Sequence, residues 1–102
     1  MDDQTVTIDA FQRFIADRYY KTDAARGTPA TFMWFIEEIG ELATALHKAA
    51  GEGGETSGGD NLEEEFADVL AWLCTLANIN DINLAEAVSR KYLHNAGPKG
   101  HK

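Results

Sequence analysis

The chain has 102 residues, enough for one domain with a modest core that association with a second copy would help stabilise. Nine Lys and Arg against seventeen Asp and Glu leave a formal charge of -8, which argues against binding along a nucleic-acid polymer but leaves open a single nucleotide held through cations. The lone Cys74 cannot form an internal disulfide, no stretch reads as a signal peptide, and acids at Glu37, Glu38, Glu41, Glu65 and Asp68 interrupt every apolar run that approaches the roughly 20 residues needed to cross a bilayer. The expectation is a cytoplasmic protein with no membrane partner.

Taken in chain order, Ile8, Phe11, Ile15 and Tyr19 recur at helical spacing, and Thr7 can cap them, which predicts a first helix over about 8–22. Thr28-Pro29 reads as an N-cap followed by proline at the first helical position, opening a second helix that Ala50-Gly51 ends. Residues 51–60 read GEGGETSGGD, five glycines in ten, and predict a flexible loop; the run lacks the Gly-Lys-Ser/Thr ending of a phosphate-binding loop. Asp60 or Asn61 is the expected cap of a third helix reaching about Ile79, with Leu62, Phe66, Val69, Leu70, Leu73 and Ala77 on its apolar stripe. A fourth helix should begin after Asp81 or Asn83 and stop at Gly97-Pro98, leaving 97–102 loose. No segment alternates apolar and polar at strand period, so the fold class is all-α: a single four-helix domain over 1–102.

Two acidic clusters stand out within these helices, Glu37-Glu38-x-x-Glu41 and Glu65-x-x-Asp68. Residues three or four apart share a helix face, so each cluster presents two carboxylates side by side, and two such helices laid together gather four. At about 100° per residue, Glu38 and Glu41 fall with Trp34 on one flank of the second helix, whose stripe centres on Phe35, Ile39, Leu42 and Leu46. Glu65 and Asp68 fall with Trp72 on the matching flank of the third. Acids on helices are ordinarily solvated, but a solvated face rarely carries two tryptophans. Glu37, Glu63 and Glu64 project farther out or lie in a first turn, where an acid complements the helix dipole. An all-oxygen donor set without histidine at ligand spacing suits Mg2+, with Mn2+ as a substitute, better than iron or zinc.

The stretch MWFIEEIGELATAL, followed after a spacer by LEEEFADVLAWL, resembles the MazG-like all-alpha nucleoside triphosphate pyrophosphohydrolases. Their E-E-x-x-E and E-x-x-D signature is complete here, with twenty-three residues between the halves, and the likeness covers about residues 28–95. It implies hydrolysis of a nucleoside triphosphate between the alpha and beta phosphates, giving a monophosphate and pyrophosphate. By that likeness Glu38, Glu41, Glu65 and Asp68 hold the metal, and Glu38 with Glu37 serves catalysis, with orientation of the attacking water as the role expected of Glu37. Lys91 and Asn95 resemble the family's nucleotide-facing lysine and asparagine. Trp72 and, less so, Trp34 are candidates for walling the base. The family also implies a homodimer or homotetramer, assembling the domain into a larger helical bundle. The glycine-rich spacer and the ending HNAGPKGHK, which lacks the Arg-Tyr-Pro stretch of several relatives, depart from the pattern and leave base preference open. The competing reading is a non-catalytic module, sensing nucleotides or stabilised by metal.

Overall fold

The computed structural model describes residues 5–51 and 56–94, with the backbone alone at 56–60. It is all-α, with no strand among the described residues. The helices are α1 (Ile8–Arg26), α2 (Thr28–Ala50), α3 (Thr56–Ile79) and the short α4 (Leu84–Val88), which continues into a π-helical segment at Ser89–His94. α3 is the central element, packing most extensively on α2 and next on α1, while α4 rests on α1.

Local chemistry explains most boundaries. Thr7 starts α1 as its side chain accepts the Ala10 N–H at 3.0 Å, satisfying one of the amides that the first turn leaves unpaired. α1 outruns its expected end at residue 22 and stops only at Gly27, whose φ of 83° is a conformation that costs other residues a steric penalty. The same glycine is also the N-cap of α2, so Thr28, expected as the cap, is already helical. One residue therefore turns the chain from α1 into α2. Gly51 ends α2 as expected.

The third helix starts at Thr56, ahead of the Asp60 or Asn61 cap that the sequence suggests. Extending a formed helix adds one hydrogen bond per residue without a second nucleation, which offsets the cost of about 1 kcal/mol for each of Gly58 and Gly59 relative to alanine. Of the stretch expected as a loop, residues 52–55 lie outside the described residues, as do Gly97-Pro98 and the tail 97–102. At the α3–α4 corner, Asp81 takes a positive φ of 58°, and Asn83 caps α4 by accepting the Glu86 N–H at 2.8 Å.

That corner is tied to α1 by a buried glutamine. Gln12 donates to Asn78 Oδ1 at 2.9 Å and to the Ile82 carbonyl at 2.7 Å, and accepts the Leu84 N–H at 2.9 Å. All of its side-chain polar atoms are thus paired, as burial demands.

The apolar residues do not distribute as their stripes suggest. Phe66, Leu70 and Leu73 of α3, and Ile39 and Leu46 of α2, are exposed, whereas Glu65 on the acidic flank is buried, as are Cys74 and Thr75 farther along the helix. α3 turns that flank toward its neighbours, and no further helix among the described residues covers the opposite side. Burial also pushes the Cys74 thiol above its ordinary value, which makes it unreactive.

A carboxylate cluster between two helices

α2 and α3 lie against each other along the flanks that carry the acids. Glu38 from α2 and Glu65 and Asp68 from α3 each direct one carboxylate oxygen into a group whose members lie within 4.8 Å of one another. Glu65 is buried, Glu38 half-buried and Asp68 exposed, so the group opens to solvent on one side. One oxygen of Glu65, Oε1, is buried with no hydrogen-bond partner among the described residues. A buried acceptor left without a partner is costly, and a cation beside it would remove the cost.

The electrostatics agree with the geometry. The Glu38 carboxyl is pushed above the ordinary 4.5, first by burial and then by the charges of Glu41, Asp68, Glu65 and Glu37. Glu65 is also raised from 4.5, first by burial and then by Glu41 and Asp68, against a lowering hydrogen bond from Asn61. Oxygens bound to one Mg2+ ion lie at most about 4.2 Å apart, twice the usual bond length, so small side-chain rotations would let the three oxygens fit a cation of that size.

Not every expected site residue joins this group. Glu41 is exposed one turn beyond Glu38 and acts on Glu38 and Glu65 through its charge, but its carboxylate stays outside the three-residue cluster. Glu37, about 100° around the helix from Glu38, lines a separate shallow cleft with Ala30, Met33 and Trp34. Lys91 sits exposed on the π-helical segment with its amine 5.4 Å from the centre of the Tyr92 ring. Asn95 lies outside the described residues.

The two tryptophans meet, as the matching flanks imply. Their rings stack with centroids 6.2 Å apart and planes 16° from parallel, so a large part of their role is to pack α2 on α3. Trp72 also borders a cleft of about 360 Å³ between α1 and α3, together with Tyr19, Asp23, Arg26, Ala71 and Thr75. Sequence reasoning missed Asp23 and Arg26 because the expected α1 ended before them. Their spacing of three, an acid and a base on one helix face, was the available signal.

A family model for the MazG nucleotide pyrophosphohydrolase domain matches residues 27–94, more than half of the chain and the whole of the carboxylate cluster. The chain belongs to the MazG family. No curated protein matches it. Within this MazG domain the matched segment begins at Gly27, the residue that turns α1 into α2, and ends at His94, the last residue of the π-helical segment. No helix among the described residues of the domain is long and apolar enough to cross a membrane.

The crowding of Glu38 and Glu65 sets a pH dependence. An acid whose value is raised by folding contributes stability that is fully present below its ordinary 4.5 and is lost as pH rises through the raised value. In EDTA, a Glu38→Gln/Glu65→Gln double variant is therefore expected to melt above the wild type near neutral pH and to converge with it at about pH 4. A difference in melting temperature that does not change with pH would show that the two carboxyls are not crowded in the folded protein.

Proposed function

We propose that the domain is a Mg2+-dependent nucleoside triphosphate pyrophosphohydrolase, with Mn2+ as a possible substitute, that cleaves between the alpha and beta phosphates. The observation that carries this reading is the convergence of Glu38, Glu65 and Asp68, with its stranded Glu65 oxygen, in a MazG-family chain. A divalent cation held there supplies neutralisation of triphosphate oxygens and a lower pKa for a coordinated water. Glu38, Glu65 and Asp68 fix where that charge sits, so the triphosphate is drawn to one point on an otherwise acidic protein. Glu41, exposed one turn from Glu38, would be the fourth residue to hold the cation.

The attacking water must lie in line with the leaving pyrophosphate, and residues that orient it contribute positioning rather than covalent chemistry. Glu38, inside the cluster, is assigned to accepting the water's proton ahead of Glu37, which lies outside it and acts through its charge. Trp72 walls the nucleoside side of the site, one helical turn or about 6 Å along α3 from Asp68. Lys91 and Asn95 are assigned to phosphate and sugar contact on the family likeness alone.

The domain acts as a homodimer or homotetramer. Supporting this, Ile36, Ile39, Phe66, Leu70 and Leu73 are exposed on the α2–α3 pair, more large apolar surface than a monomer ordinarily leaves in water.

With Mg2+, the protein is expected to release pyrophosphate and a monophosphate from at least one canonical or modified nucleotide. Glu38→Gln or Asp68→Asn should lower kcat by about a hundredfold or more while helical circular dichroism is kept. No turnover across a full panel with both Mg2+ and Mn2+, but retained nucleotide binding, would instead establish a sensing module. By light scattering the protein should be dimeric or larger, and Leu70→Asp/Leu73→Asp should yield folded monomer; a monomeric wild type would refute the assembly.

A further inference from the structure

The cleft between α1 and α3 contains a charged pair that stability alone does not explain. Asp23 is only 4% exposed, although it sits in the last turns of α1, where the helix dipole disfavours a negative charge. Its Oδ1 pairs with Arg26 Nη1 at 3.1 Å, and its Oδ2 accepts from the Thr75 hydroxyl at 3.1 Å. Replacing a buried ion pair by apolar residues of similar size is often neutral or stabilising, so such a pair is weak evidence of a purely structural role.

Each carboxylate oxygen can accept more than one hydrogen bond, so Asp23 keeps acceptor capacity beyond the two bonds it makes. Arg26 makes its ion pair and its 3.2 Å bond to Thr31 through Nη1, which leaves Nε and Nη2 as donors. Its guanidinium lies over the Trp72 ring, 5.1 Å from the centre, and Trp34 stacks on the same ring, so Trp72 holds the polar pair at the border of the cleft. Ile15, Ala71 and Tyr19 supply the rest of an apolar lining. Sides lined by Tyr19, Ile15 and Ala71 with an acceptor beside a donor match a planar heterocycle whose edge carries an N–H or amino group beside a carbonyl or ring nitrogen.

We infer that Asp23 and Arg26 are specificity-determining residues that read the hydrogen-bonding edge of the substrate's nucleobase, with Asp23 accepting from the edge donor and Arg26 donating to the neighbouring acceptor. The inference rests on the nucleotide reading of the site. It makes the cleft selective for an intact edge: a base whose edge donor has lost every proton, by one methyl on a ring N–H or two on an amino group, offers none to Asp23 and strands a buried carboxylate.

The test takes the nucleotide with the highest kcat/KM in the panel and compares it with the counterpart in which methyl groups replace every N–H of the edge donor, such as uridine and 3-methyluridine triphosphates. Wild-type protein is expected to prefer the unmodified nucleotide by at least about tenfold. The double variant Asp23→Leu/Arg26→Met, which removes both charges together, should reduce that preference to less than about threefold. Equal use of both nucleotides by the wild type, or an unchanged preference in a folded double variant, would overturn the inference.

A second measurement covers the case in which the variant does not fold or the protein does not turn over. Quenching of tryptophan fluorescence by the two corresponding monophosphates, in EDTA with wild-type protein, should show binding at least about tenfold tighter for the unmodified base. Equal affinities would overturn the base-reading role even if pyrophosphohydrolysis is established. A clear preference would support it even if hydrolysis fails.

Discussion

The arrangement depends on one contact, the apposition of α2 and α3 along flanks that both carry acids. Two helices ordinarily meet through apolar side chains, and this pair does so in part, through the stacked Trp34 and Trp72. Next to that stack, Glu38, Glu65 and Asp68 are brought within 4.8 Å of one another, with Glu65 buried. Burial and mutual repulsion raise two of the three carboxyls, so the apposition is strained without a cation and relieved by one. The helix pair thus carries a demand for positive charge at the carboxylate cluster.

The rest of the fold serves to hold α3 in that orientation. Gly27 joins α1 to α2 through a single residue, so α1 cannot drift from the pair, and Gln12 ties α1 to the corner after α3. Asp23 and Thr75 add a polar link between α1 and α3 at the cleft beside Trp72. The cleft and the cluster share α3, and the spacing of Asp68 and Trp72 by one turn would put the proposed phosphate chemistry and base contact on successive turns of one helix.

Much of this was legible in the sequence because it depends on local rules. Thr7, Gly51 and Asn83 act as the helix signals that their chemistry implies, and the phases of Glu38, Glu65 and Asp68 foretold a shared flank. What was not legible depends on the whole chain. Whether Phe66, Leu70 and Leu73 or the Glu65 flank faces inward is decided by how many helices are available to cover α3, and periodicity alone does not hold that information. The early start of α3 reflects propagation from a helix already formed, which a residue-by-residue reading of glycines misses. Gln12 was passed over for the same reason, since a polar residue in an amphipathic helix looks solvated until a distant element is packed on it, whereas Asp23 and Arg26 lie beyond the expected end of α1.

The most direct test of the carboxylate cluster is divalent-cation binding without nucleotide, followed by the electron paramagnetic resonance of Mn2+ as it leaves the free aqueous pool. Wild-type protein should bind Mn2+ in competition with Mg2+, and Glu65→Gln should weaken that binding by about tenfold or more. Mn2+ binding that Glu65→Gln leaves unchanged would contradict the assignment of the cluster as the metal site.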